Sequence, residues 1–181
     1  MAGIPTCGVD VQYIQYGTVG GAGEATDASG VLMTPSGGAN CIGARPVVLY
    51  AHGTTTVKNY NLANLSDNTN AAYSEAILIA ATYAAQGFII VAPNYTGYDS
   101  SKLNYTPYLN ADQSAKEMQD ALAAARKALP GLLQPVQDSG KLFIAGCSQG
   151  GHGHSPRHAG CRQSCDRQRA HVRALRLGSI W

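Results

Sequence analysis

The chain has 181 residues, of which 45% are hydrophobic and 13% charged, and its formal net charge is +2. That is the size of one domain, and the composition excludes a disordered chain and a coiled coil, while the longest apolar runs are far too short to cross a bilayer as a helix. The positive charge carries no nucleic-acid reading, because six of the eight arginines lie after Gly151 and the chain before that point is slightly acidic.

The N-terminus, MAGIPTCGVD, lacks a basic segment followed by an apolar run. The chain as written is therefore expected to be cytoplasmic, or else to start downstream of a leader. Cys7 and Cys41 flank two predicted strands and fit either a disulfide formed in an oxidising compartment or two buried free thiols. The first strand, Val11–Val19, alternates with β-branched and tyrosine residues until Gly20-Gly21-Ala22-Gly23 breaks it, and Gly30–Thr34 forms the second before Pro35-Ser36-Gly37-Gly38. These two read as antiparallel neighbours.

Three continuous apolar runs follow, Pro46–Ala51 (PVVLYA), Phe88–Ala92 (FIIVA) and Leu142–Ala145 (LFIA), each bounded by Gly or Pro. Strands buried on both faces of a parallel sheet have this pattern. Helices separate them. The first is predicted over Ala72–Gln86, apolar around most of its circumference and ended by Gly87 as a left-handed C-cap. The second is predicted from Asn110, with Gln113 at capping-box spacing. It carries Ala115, Met118, Leu122, Ala125 and Leu129 on its buried stripe, and Lys116, Glu117, Asp120, Arg126 and Lys127 on an outward face, before Pro130-Gly131 stops it. Two leading antiparallel strands and a β-α-β-α-β succession predict a mostly parallel α/β sheet with right-handed crossovers.

The third apolar run leads directly into Gly146-Cys147-Ser148-Gln149-Gly150, a G-x-S-x-G match followed by Gly151. Where such a turn joins a strand to a helix, its serine is held in a strained conformation above the sheet, and the small flanking residues let neighbouring backbone approach. The N–H groups at the start of the following helix then face the place where acyl transfer develops negative charge. A second donor is expected after the Pro46–Ala51 strand, where His52-Gly53-Thr54-Thr55 can present a backbone N–H. Cys147, beside the serine, is expected to be a buried small apolar residue rather than a nucleophile.

With these motifs, and with VLYAHGTTT, IIVAPNYTGYD, PYLNADQSAKEMQDALAAARKALP and FIAGCSQGG in this order, residues 5–151 resemble bacterial secreted α/β-hydrolases of the lipase and esterase kind. These include the secretory lipases and, more distantly, prolyl-oligopeptidase-like serine hydrolases. The resemblance implies the N-terminal part of an α/β-hydrolase fold over residues 1–151. It implies Ser148 as nucleophile and the N–H groups of Gln149 and Thr54 as oxyanion donors, with Gly146, Gly150, His52 and Gly53 in supporting turns. It implies a small-molecule or lipid ester as substrate, no cofactor and no metal. Asn94-Tyr95-Thr96-Gly97-Tyr98 is similar to a loop near the active-site mouth. His52 precedes the serine, and this fold delivers its triad in the order Ser, Asp or Glu, His, so His52 reads as structural.

Residues 152–181 have a different character. They show no sustained helical or strand period and concentrate Arg, His and Cys, so little or no native structure is expected there. His152, His154, His158, Cys161 and Cys165 contain H-x-H and C-x₃-C spacings but lack the companion half of a metal site. Asp166 and His171 could nominally complete a triad with Ser148, without strands to hold them. Codons compatible with the residues from Gly150 onward, read one nucleotide out of register, allow VAMATHRAMQA, and those for Cys165 to Leu177 allow VTASAPMSGPYAL. Both resemble continuations of the same hydrolase group, and a frameshift near Gly150–His152 is the expectation they raise. The functional reading is a serine hydrolase of carboxylic esters, weakly active or inactive as this chain. The alternatives are a non-catalytic binding protein or pseudogene product on the same scaffold, and a serine peptidase.

Overall fold

The computed structural model of the chain describes residues 4–152 and the backbone strand 173–179. In chain order it comprises β1 (Gly8–Val19), β2 (Ala25–Ser36), β3 (Gly43–Ala51), α1 (Tyr73–Thr82), β4 (Ile89–Pro93), α2 (Ala111–Ala128), β5 (Val136–Gly146), the single turn α3 (Gln149–His152) and β6 (Arg173–Ser179). The strands form one sheet in the order β5-β3-β4-β2-β1-β6. β3 pairs in parallel with both β4 and β5, whereas β2 pairs antiparallel with β1 and with β4. The β3-α1-β4 connection and the return of α2 to β5 on the far side of β3 make this a parallel sheet extended by an antiparallel β1–β2 hairpin.

β1 and β2 register over twelve paired residues, from Gly8↔Ser36 to Val19↔Ala25, so both strands run longer than their apolar cores predict. The hairpin is closed at its other end as well. Of the two states open for Cys7 and Cys41, the structure has the disulfide, with the Cα atoms 5.7 Å apart. It ties the start of β1 to the turn before β3, across 34 residues.

The first predicted helix is shorter than its apolar pattern, because α1 stops at Thr82 and a 3₁₀ turn over Ala84–Gln86 completes the segment. Gly87 then adopts φ +93°, the left-handed conformation that lets the chain turn into β4. α2 starts where its cap predicts, with the Asn110 side chain accepting from the Gln113 N–H at 3.2 Å.

Its outward face needs correction. Glu117 and Asp120 are 0% and 5% exposed, because α2 lies across β1 and β4 and presents a wider arc to the sheet than the five-residue stripe predicts. The Glu117 carboxylate accepts from Gln113 Nε2 at 2.8 Å and Thr96 Oγ1 at 3.3 Å, and Asp120 pairs with Lys116. Burial raises the Glu117 pKa to about 7.

Residues 173–179 lie at the other edge of the sheet. They form a strand antiparallel to β1, registered from Asp10↔Ser179 to Gln15↔Arg173 with a bulge between Val11 and Gln12. The free edge of β1 offers unpaired N–H and C=O groups, and any extended backbone can satisfy them without an apolar sequence pattern. The metal-spacing residues and the nominal triad partners Asp166 and His171 lie outside the residues whose side chains are described. Among the described residues no helix is long and apolar enough to cross a membrane.

Candidate active site

β3 and β5 are registered so that Ala51 lies opposite Gly146. The two segments that leave these strand ends, His52–Thr55 and Cys147–Gly150, therefore emerge side by side. Cys147 N–H donates to Ala51 O at 3.4 Å, and an added Cβ on Gly53 would stand 3.9 Å from Cys147 O. Tertiary pairing thus joins two motifs about 95 residues apart, because adjacent parallel strands must end at the same edge of the sheet.

Ser148 has φ +53°, one of four non-glycine residues with positive φ among those described. It is exposed and joins β5 to α3 in a turn closed by Gly150 N–H on Cys147 O at 2.9 Å. A serine gains nothing locally from this conformation, which costs on the order of 1–2 kcal/mol. The surrounding backbone enforces it. Gly150 is required here, since a Cβ on it would lie 2.0 Å from Ala51 O. Among the described residues no group engages the Ser148 hydroxyl, the Gln149 N–H or the Thr54 N–H.

His52 is fully buried between the rings of Tyr60 and Tyr95, at centroid distances of 4.5 and 4.0 Å. Its Nδ1 lies 2.7 Å from Gly53 O and its Nε2 lies 3.2 Å from Asn94 O, so both ring nitrogens face backbone carbonyls, and a neutral ring donates to one of them. Burial lowers its pKa despite those carbonyls. A ring so enclosed anchors its loop and has no open nitrogen for a substrate.

Cys147 is exposed, contrary to the buried apolar role its position predicts. It sits at the end of β5, which is paired on one side only, so nothing among the described residues covers it.

No protein-family model and no curated protein matches the chain. Solved structures do. The rice cell wall degrading esterase LipA from Xanthomonas oryzae is 33% identical and superposes with a TM-score of 0.76 over 90% of this chain and 41% of its own. Its ligand-bound form gives 32% identity and 0.75 over 89% and 41%. A protein of Legionella pneumophila assigned as a hydrolase gives 29% identity and 0.66 over 80% and 36%.

The chain has the fold of the N-terminal part of an α/β-hydrolase. It spans about two fifths of the length of the esterase it resembles. In this chain the turn after β5 and the loop after β3 are neighbours at one edge of the sheet.

Sequence reasoning missed the carboxylate of Glu75. This residue lies in the first turn of α1 and accepts from Gly53 N–H at 3.2 Å, Tyr50 OH at 2.8 Å and Tyr60 OH at 2.5 Å. Burial, with this carboxylate as acceptor, pushes the Tyr50 and Tyr60 hydroxyls above their ordinary pKa. The only signal was an acidic residue in a helical first turn, and the helix dipole already accounts for that.

Proposed function

We propose that the chain is the nucleophile-bearing part of an esterase-like serine hydrolase, acting on small-molecule or lipid carboxylic esters through an acyl-enzyme on Ser148. The observation that carries this reading is the positive φ of Ser148 at a strand-to-helix turn, beside a loop whose Thr54 N–H is unengaged by described residues. The Ser148 oxygen attacks the ester carbonyl carbon and the carbonyl π electrons move onto its oxygen. In this reading the N–H groups of Thr54 and Gln149 hold the resulting oxyanion. Collapse of the intermediate expels the alkoxide, which takes a proton as it leaves, and water then releases the acid by the same route. The step needs a base for the serine proton. His52 is unsuited, since both its nitrogens face backbone carbonyls.

Removing the base and its acid from such a site leaves the oxyanion donors, which alone retain on the order of 10³-fold acceleration. The test is incubation with a fluorophosphonate probe and mapping of the adduct by mass spectrometry. Ser148 should label well ahead of every other serine, and Ser148→Ala should abolish the adduct. Labelling no faster than at the remaining serines would favour the non-catalytic scaffold reading.

Two further readings accompany this one. The Cys7–Cys41 disulfide supports an oxidising compartment, secreted or periplasmic. An in-frame basic and apolar leader upstream of the Met1 codon is expected, and a stop codon there would count against it. The frameshift reading of residues 152–181 rests on the codon argument alone. Resequencing around the Gly150–His152 codons tests it, with a restored acid and histidine as the expected result.

A further inference from the structure

We infer that Glu75 is a positioning residue for the oxyanion loop. It selects the Thr54 N–H as the donor by engaging the preceding amide. The inference rests on the reading of Ser148 as nucleophile.

A backbone loop has several N–H groups, and only one can face the developing oxyanion. The Gly53 N–H is the nearest competitor of Thr54 in the chain. It is taken by Glu75 Oε1 at 3.2 Å, so it is unavailable to substrate. The same oxygen accepts from Tyr50 OH, and the other carboxylate oxygen accepts from Tyr60 OH. Hydrogen bonds to a charged acceptor are about twice as strong as neutral ones, and three of them converge here.

The bonds also fix what surrounds the loop. Tyr60, held by Glu75, stacks on His52. On its other face His52 meets Tyr95, whose hydroxyl donates to His52 O at 3.1 Å. Tyr98 OH donates to Thr55 O at 2.5 Å. Residues 52, 53 and 55 are each tethered, and the N–H of residue 54 is left unengaged between them. A carboxylate beside an oxyanion site would oppose the developing charge. Three donors converging on Glu75 take up much of that charge, which makes the placement tolerable.

A purely structural Glu75 would favour α1 through the helix dipole and hold the Tyr50 and Tyr60 hydroxyls, without consequence for Ser148 reactivity. The two roles separate by measurement on the full 181-residue chain. Exchange at the Gly53 amide is read by hydrogen–deuterium mass spectrometry with residue-level fragmentation, and Ser148 reactivity by the rate of fluorophosphonate labelling. In Glu75→Ala, Gly53 exchange should accelerate and the maximal labelling rate should fall, each about tenfold or more, with the half-saturating probe concentration unchanged. Glu75→Gln keeps one acceptor oxygen, is nearly isosteric and should fall between. Leu78→Ser, at a 59% exposed position of the same helix, should change neither quantity.

Unchanged Gly53 exchange in Glu75→Ala would overturn the proposal. So would faster exchange with an unaltered labelling rate, because the loop would then be held without catalytic consequence. Equal effects from Leu78→Ser would assign both changes to general loosening of α1 and overturn it too. A parent chain whose Ser148 labels no faster than its other serines would remove the nucleophile reading itself, and the role of Glu75 with it. A normally labelled parent with an indistinguishable Glu75→Ala would remove the positioning role alone.

Discussion

Ile89, Ile90 and Val91 in β4 are at most 1% exposed, whereas Phe143 and Ile144 in β5 are 53% and 43% exposed, although both sets lie in short apolar segments of strands in one sheet. β4 lies between β3 and β2 and is crossed by α2. β5 is paired with β3 alone among the described residues. An apolar strand is thus a request for cover on two edges and two faces, and its own residues cannot supply that cover. The esterase that superposes on this chain is more than twice the length of the matched part.

Truncation of one side chain in each strand is the strongest way to break this comparison. Ile90→Ala should cost about 4 kcal/mol of unfolding free energy, and Phe143→Ala under about 1 kcal/mol, read from urea midpoints. Equal losses would mean that β5 is covered in solution. The disulfide belongs to the well-covered half, and its reduction should remove about 3 kcal/mol, with a lower melting temperature in dithiothreitol. An unchanged melt would place the stabilising contacts of the hairpin elsewhere.

Glu117 sharpens the same half through pH. Its folded pKa is raised from 4.5 to about 7, so the native state binds a proton that the unfolded chain releases between those values. The stabilisation is complete below about pH 4.5 and is lost as pH rises through about 7, with a total of about 3 kcal/mol. Glu117→Gln should flatten this slope in urea titrations at stepped pH. Retention of the slope would assign it to another group.

The smallest expected change in stability is at the open edge. An unpaired apolar strand associates with other edges, and a lysine on it opposes that association. Ile144→Lys should shift the chain from oligomer toward monomer in sedimentation velocity while altering unfolding free energy by under about 0.5 kcal/mol. Self-association unaffected by the lysine would relocate the sticky surface away from β5.

The elements that were legible in the sequence are those whose signal is local. The runs PVVLYA, FIIVA and LFIA fall within or against β3, β4 and β5, because a strand buried on both faces can carry only apolar side chains. Asn110 and Gly87 marked helix ends by their own capping and left-handed preferences. The long connection after Thr55 was not legible. Tyr60, Leu62 and Ala63 are buried there without any helix or strand, and irregular backbone has no period to detect. Glu117 and Asp120 were read as outward because helical periodicity reports one face, and it is silent on how far α2 rolls across β1.

The sequence by itself therefore determined the succession of strands and helices, the turn that strains Ser148, and the small residue that lets Gly150 pass Ala51 O. Each depends on side-chain size and backbone preference at single positions. Only the tertiary structure decided that Ala51 stands opposite Gly146 and that Glu75, Tyr50 and Tyr60 close on the Gly53 amide. It also decided that Phe143 and Ile144 of β5 remain about half-exposed. Those outcomes depend on sheet register and on which elements lie beside each strand. Both are set by long-range pairing, whose free energy comes from burial shared among distant segments.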